Sequence, residues 1–393
     1  MKPTLRLALL AGLLLAALPA ATAGGQVRVD GQVYGLVYAS ERAGTRQWDT
    51  YQGLQLRVKP RADLAFKTNL RLAQRGDPAQ WQERVFNAYV DWQAPAGVLQ
   101  ARLGRQYVFR GVMNGSVDGL LLRLRPTRRL DLQAVGGVSV PFDRPFAVQP
   151  WDDGGVLGGY ASYRVARAAQ VDLSYVQRSR EDALAWRQLG TAVTGAAGAL
   201  YYQARLDYNL LQQTYQGMRY RLAYQPGRWG FSGEYNSQKP RIYEDSFFNL
   251  FRLVGFDQWR GGVTYQLGRY QLGAQYLHTA YRDADAANEI VATLGGGWGT
   301  IGVIYQTGFG GDNVGLYGEV DYDVRPDLSL RLHSSYYNYQ RRSLSFSEDA
   351  TAFSGGVHYR PVRTVLLQAE LQQAMNSFFD NDLRALLRAS YAF

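Results

Sequence analysis

The last eleven residues, Leu383-Arg384-Ala385-Leu386-Leu387-Arg388-Ala389-Ser390-Tyr391-Ala392-Phe393, alternate without a break. Positions 383, 385, 387, 389, 391 and 393 are apolar or aromatic, and Arg384, Arg388 and Ser390 stand between them. Successive side chains of a strand point to opposite faces, so this stretch carries one apolar face and one wet face. Upstream the same theme recurs: runs of roughly ten residues with period-two alternation, a short turn, another run, then a longer polar loop. Short turns read at 59–63, 94–97, 126–128, 166–168, 226–228, 268–269, 297–299, 325–327 and 361–363, where Pro and Gly set turn dihedrals and interrupt a hydrogen-bond ladder. The pattern predicts an all-β fold, an antiparallel up-and-down transmembrane barrel of about 18–20 strands, with short periplasmic turns and longer extracellular loops. Residues 199–225 keep one alternation phase, with Tyr202, Leu206, Leu210, Met218, Leu222 and Tyr224 on one face, and read as a single long strand.

The opposite end explains how such a barrel is delivered. Residues 1–23, MKPTLRLALLAGLLLAALPAATA, place Lys2 and Arg6 before an apolar run that ends at Pro19 and the small-residue pattern Ala21-Thr22-Ala23. The run is about a dozen residues, short of the roughly 20 a membrane helix needs, so it reads as a secretory signal cleaved after Ala23. The mature barrel is then 24–393. No later apolar run approaches 18 residues, which excludes helical spans. The 28 Tyr, 8 Trp and 43 Gly exceed what a soluble enzyme carries, and aromatic rings suit the interfacial girdles of a barrel. There is no Cys, so no disulfide framework and no thiolate metal site. Nothing between Ala23 and the first strand is long enough for a plug domain.

The closing strand resembles that of bacterial outer-membrane barrels, which ends in an aromatic residue, usually Phe, read by the barrel-assembly machinery. The resemblance implies a Gram-negative outer membrane, with lipid and lipopolysaccharide around the chain. A second likeness lies in Leu99-Gln100-Ala101-Arg102-Leu103-Gly104-Arg105-Gln106 followed by Val117-Asp118-Gly119-Leu120-Leu121-Leu122-Arg123-Leu124-Arg125. This resembles the Gly-Arg-Gln hairpin of alginate-export and related substrate-specific porins. In that family an inward loop rich in charged substrate contacts follows. Those positions have no match here, so the resemblance implies the architecture and not alginate.

Alternation also assigns the lumen. With apolar positions toward lipid, Arg57, Lys59, Lys67, Arg71, Arg102, Arg123, Arg125, Arg164, Arg219, Arg221, Arg260, Arg331, Arg360, Arg384 and Arg388 face inward. The acidic residues Asp91, Asp131, Asp172, Glu234, Glu319, Asp321, Asp323 and Glu370 face inward as well. Closing the barrel puts Arg384 and Arg388 beside the basic early strands, while Glu319-Asp321-Asp323 sits several strands away. The chain carries 43 basic and 33 acidic residues; without Lys2 and Arg6 the net is 41 − 33, or +8. A basic wall facing an acidic patch would orient dipolar solutes and favour anions. The bland reading, that inward charges are what a wet lumen tolerates, stands beside it. A lumen this wide calls for an inward loop. The segments 180–198, 138–154 and 240–256 are the candidates, the last with Phe247, Phe248, Leu250, Phe251 and Leu253.

Chemistry beyond a channel has few ingredients. His333, His358 and Glu319 offer a weak candidate for a metal or a pH-sensitive gate. Ser335, Ser354 and Asp321 within reach of His333 supply the parts of a hydrolase but no geometry. No phosphate-binding Gly loop, Cys pair or HExxH pattern occurs, so no cofactor is expected. No basic run or recognition helix points to nucleic acid. The expectation is a porin-like channel for small hydrophilic, anionic solutes; the alternative is a barrel with a closed lumen acting as a hydrolase, structural protein or adhesin.

Overall fold

The computed structural model describes residues 27–42, 44–76, 80–141, 146–166, 168–240, 255–282, 284–309, 311–340, 347–376 and 379–393. The signal segment and most of the aromatic loop 240–256 lie outside the described residues.

The described residues form one antiparallel sheet of twenty-two strands. The first seven are β1 (Arg28–Arg42), β2 (Thr45–Arg61), β3 (Leu64–Arg75), β4 (Gln80–Gln93), β5 (Leu99–Arg110), β6 (Met113–Leu124) and β7 (Leu130–Ser139). A four-residue helix, α1 (Trp151–Gly154), precedes β8 (Gly155–Ala166), β9 (Ala169–Arg180), β10 (Ala183–Ala197), β11 (Leu200–Asn209), β12 (Thr214–Tyr224) and β13 (Trp229–Gln238). The remainder are β14 (Phe256–Leu267), β15 (Tyr270–Tyr281), β16 (Ala287–Gly296), β17 (Gly299–Gly308), β18 (Asp312–Arg325), β19 (Leu328–Gln340), β20 (Ser347–Val362), β21 (Val365–Asn376) and β22 (Phe379–Ala392). Each pairs with its chain neighbours, and β22 pairs with β1 from Gln32↔Ala392 to Arg42↔Asp382, which closes the barrel. Phe393 completes the seam: its N–H donates to the Gly31 carbonyl at 3.0 Å, and Gly31 N–H donates to the Phe393 carbonyl at 2.9 Å. Closure leaves no sheet edge at this seam, as a structure with no water to satisfy its backbone requires.

All nine short turns read from Pro and Gly lie at one end of the barrel, and a tenth, at 198–199, joins them there. The count of twenty-two exceeds the expected eighteen to twenty for two reasons. Residues 183–197 form strand β10, not a loop. Residues 199–225 are two strands joined by a turn at 210–213. The second misreading has a geometric cause. Opposed residues in antiparallel strands share a face, and here Leu206 opposes Met218 and Leu200 opposes Tyr224. Both of these pairs combine two even positions; next to the turn Tyr208 opposes Tyr215, but the register shift after Asp207 restores even parity, so the alternation resumes in phase along most of the second strand.

The outer face is apolar. Leu103, Leu222, Val303, Leu316, Leu332, Leu371 and Leu387 are all exposed, and none can reach the interior because the residues beside them already face it. Aromatic residues gather near the ends: Trp229 with Phe231 and Tyr265, and Tyr391 with Phe393, at the turn end; Tyr220, Tyr235 and Trp259 toward the loop end. Among the described residues no helix is long and apolar enough to cross a membrane; the apolar exterior belongs to strands. With strands about 4.8 Å apart and tilted about 40°, twenty-two make a wall roughly 40 Å across.

Candidate functional site: a charged lumen crossed by a hairpin

Strand register carries the inner face around the barrel. Arg57 opposes both Asp30 and Lys67, Lys67 opposes Tyr89, and Asp91 opposes Arg102. Farther on, Arg221 opposes Glu234, which opposes Arg260, and Glu319 opposes His333. Gln372 opposes Arg384, which opposes Ser40, and Gln368 opposes Arg388. Arg71, Arg123, Arg164, Arg219 and Arg331 keep the same parity on their strands. Arg125 lies two residues beyond Arg123, just past the end of β6, where its N–H donates to the Val98 carbonyl at 2.7 Å.

Many of these charges are held in pairs. Asp91 accepts from Lys67 Nζ (3.1 Å) and Gln100 Nε2 (2.6 Å) and lies 3.4 Å from Arg102 Nε. Asp131 takes the Arg123 fork with both oxygens. Glu234 meets Arg219 at 3.0 Å, Asp321 meets Arg331 at 2.7 Å, and Asp382 meets Arg384 at 2.7 Å. Of the inward cations without a carboxylate partner among the described residues, Arg57, Lys59, Arg71 and Arg388 stand on the strands either side of the β22–β1 seam. Two of them lie over rings instead: Arg71 is 5.6 Å from the Tyr51 ring and 5.1 Å from the Phe86 ring, and Arg388 is 5.1 Å from Tyr34. An aromatic face positions a guanidinium without cancelling its charge. On the other side of the seam Glu319 and Asp323 have no cationic partner among the described residues, whereas Asp321 is neutralised by Arg331. The acidic patch is therefore smaller than the sequence suggested.

The hairpin between β5 and β6 enters the lumen. β4 pairs with β5 only from Gln93↔Gln100 to Ala88↔Arg105, and β6 pairs with β7 only as far as Val117↔Ser139. Residues 106–116 of the β5–β6 hairpin thus leave the wall. Gly104, with φ of +121°, makes the departure possible, since that backbone conformation is costly for a residue bearing a Cβ. Beyond it the chain turns inward, and Arg105, which faces Ala88 across the ladder, becomes buried.

The tip seats against the inner wall of β7–β11. Val112 N–H donates to Ser174 Oγ at 3.0 Å, Arg205 Nη2 donates to the Gly111 carbonyl at 2.9 Å, and Arg178 Nη2 donates to the Asn114 carbonyl at 2.6 Å. Val108, Val112, Met113 and Val117 are buried together with Leu121, Val135, Val156, Val176 and Trp186. This is the one apolar cluster of buried residues found among the described residues, and it lies inside the barrel. The wall is cut to receive it: a Cβ at Gly190 would stand 2.5 Å from Val112 Cγ1, and one at Gly158 would stand 2.3 Å from Met113 Sδ. At the base, Arg105 donates through Nε and Nη2 to Asp118 Oδ1 (2.8 Å) and Oδ2 (2.7 Å), and Nη2 also reaches the Ala147 carbonyl (3.0 Å). Gln106 Nε2 donates to the carbonyls of Arg102 (3.3 Å) and Gly119 (3.2 Å).

One of the three expected inward loops is therefore corrected. Segment 180–198 is wall: a two-residue turn at 181–182 followed by β10, whose Ala and Gly give the hairpin room. Segment 138–154 contributes the Ala147 carbonyl to the hairpin's base. Residues 241–254 of the third lie outside the described residues. The inserting hairpin includes Arg105 and Gln106, which the sequence reading quoted only for a resemblance.

The weak metal candidates are not brought together. His358 opposes Ser329 and Gln368, and its Nε2 lies 3.1 Å from Gln368 Nε2, while Glu319 and His333 sit farther along β18 and β19. Among the described residues no group of three His, Cys, Asp or Glu side chains is placed to hold a metal ion. Asp321 is engaged by Arg331, and His333 makes no side-chain hydrogen bond among the described residues.

The fold has counterparts among solved structures. Over 94% of this chain and 98% of the other, it resembles OccK1 (OpdK) of Pseudomonas aeruginosa, with 12% identity and a TM-score of 0.46. The likeness to Pseudomonas aeruginosa OprD covers 95% and 98%, with 10% identity and a TM-score of 0.45. The usher PapC translocation pore superposes with a TM-score of 0.52 at 10% identity, over 94% and 99%. At these identities the likeness is one of fold. No protein-family model and no curated protein matches the sequence.

Proposed function

We propose that this chain is a bacterial outer-membrane channel through which small hydrophilic solutes, anions in preference, diffuse passively past the inserted β5–β6 hairpin. The observation that carries the reading is the set Arg57, Lys59, Arg71 and Arg388: cations on one inner wall, without carboxylate partners among the described residues. Cations fixed in a wet lumen raise the local concentration of counter-ions, and those held over rings keep that effect. Glu319 and Asp323, on strand β18 some strands away, supply the opposite pole of a transverse field.

The same reading places the short turns in the periplasm and the longer loops outside, with lipid and lipopolysaccharide against the apolar exterior. It takes 1–23 as the export signal and the β22 strand ending at Phe393 as what the barrel-assembly machinery reads. The test is a reversal-potential measurement in planar bilayers under a KCl gradient. Wild-type protein should show anion preference, and Arg57→Gln, Arg71→Gln and Arg388→Gln combined should move the reversal potential toward zero. Cation preference in the wild type, or a reversal potential unmoved by the triple change, would overturn the anion bias; no conductance step at all would overturn the channel.

A further inference from the structure

Beneath the hairpin tip the wall of β6–β9 leaves a recess of about 690 Å³ at the turn end of the lumen. We propose that this recess binds small solutes bearing at least two acid groups; the inference rests on the channel reading for its purpose, though not for its geometry. Six arginines line it: Arg110 from the tip, Arg123 on β6 and Arg125 just past its end, Arg128 and Arg129 from the β6–β7 turn, and Arg164 from β8. The one carboxylate in the lining, Asp131, is already occupied by the Arg123 fork. The other five arginines have no carboxylate partner among the described residues.

The cations are gathered by backbone, not by chance rotamers. Arg110 reaches the recess because the hairpin leaves the wall, and Arg205 and Ser174 pin the two residues that follow it. In the turn, Thr127 Oγ accepts from the N–H groups of Arg129 and Leu130, both at 3.2 Å, which fixes the direction of the loop. Like charges so placed repel one another until an anion enters, and a recess walled by protein concentrates their field. One carboxylate occupies one or two forks and leaves the rest uncompensated. Two acid groups take forks from different elements at once, the arrangement in which arginine recognition of carboxylate and phosphate is strongest. Ser162, Tyr160 and Gln170 at the edge offer hydroxyl and amide groups to the rest of the solute. The volume suits a small metabolite, within the several hundred Å³ usual for such sites.

The test uses the full chain in planar bilayers, with pyrophosphate, citrate or acetate added to the turn side. Pyrophosphate or citrate should block chloride current at concentrations at least tenfold below acetate, and the better of the two tells phosphate from carboxylate preference. Arg110→Gln and Arg164→Gln should each raise the half-blocking concentration about tenfold, the loss of one charge-assisted contact. Arg110→Lys, which keeps the charge and loses the fork, should cost less. Equal block by acetate and pyrophosphate, or block indifferent to both Gln variants, would overturn the inference while leaving the channel standing. If the protein passes no current, titration calorimetry of the detergent-solubilised full chain with pyrophosphate decides the recess by itself: heat weakened by Arg110→Gln supports it, and no heat overturns it.

Discussion

Replacing Asp118 with Asn tests whether the β5–β6 hairpin is what narrows the lumen. Arg105 and Asp118 are 7% and 10% exposed, and their two-pronged contact closes the base of the inserted ribbon. The change keeps the shape and takes the Asp118 carboxylate from the buried Arg105 guanidinium, which costs about 3–5 kcal/mol. Released, the hairpin takes Arg105 into water and escapes that cost, so the seated form alone is penalised. The ratio of seated to released hairpins then falls by roughly two to three and a half orders of magnitude. Opposing release are the buried Val108, Val112 and Met113, each contributing about 1.5–3 kcal/mol. The single variant should therefore flicker, and Asp118→Asn with Met113→Ala, which removes a further 2–5 kcal/mol or so, should stay open. A two-stranded ribbon with its side chains covers about 10 Å of a lumen on the order of 20 Å wide, so the open level should be about twice the wild-type conductance. The assay is single-channel recording, with barrel integrity checked by the gel mobility of unheated protein. Wild-type conductance and noise in a folded double variant would refute the hairpin as the constriction.

Other outcomes follow from the same contacts. Gly190→Val drives a methyl into Val112 Cγ1 and should unseat the tip at about 1–3 kcal/mol, read as more frequent high-conductance bursts. Because the chain has no Cys, Val112→Cys with Gly190→Cys can form only one disulfide, after a shift of about half an ångström; oxidation should suppress the bursts of Asp118→Asn and reductant restore them. Asp382, 2% exposed beside the half-exposed Arg384 at the seam, should cost about 1 kcal/mol as Asn, since Arg384 can turn to water, seen as a slightly lower temperature for loss of the folded gel band.

The barrel was legible in the sequence because an apolar outer face and a polar inner face impose period two on every strand. Arg57, Arg71 and Arg388 were assigned to the inner face for that reason. What alternation could not show was anything that preserves it. The turn at 210–213 joins strands of equal outward parity, so 199–225 looked like one element. Segment 183–197 looked like a loop because Gly190 and the alanines after it thin its inner face, and at Gly190 the space is taken by Val112. Information about the hairpin was thus written on strand β10, four strands along the wall from β6, where the hairpin rejoins it.

That dependence also explains why the charges alone gave a poor map of the constriction. Pairing is a matter of reach across strands: Asp91 gathers Lys67 and Arg102 from two neighbours, whereas Arg71, two residues from Asn69 and opposite Gly53 and Arg84, meets only rings. The sequence lists both as inward cations, yet only Arg71 keeps its full field. Likewise Arg110 lies at a strand end that reads as an exterior loop, and only the inward course of the hairpin carries it into the recess with Arg125 and Arg164. In a wall this wide, a side chain on the strands extends a few ångströms into a lumen many times broader, so selectivity depends on whatever crosses that space. The inserted hairpin does so, and a solute passing it meets the recess arginines together with a tip held by backbone contacts on strands β9 and β11.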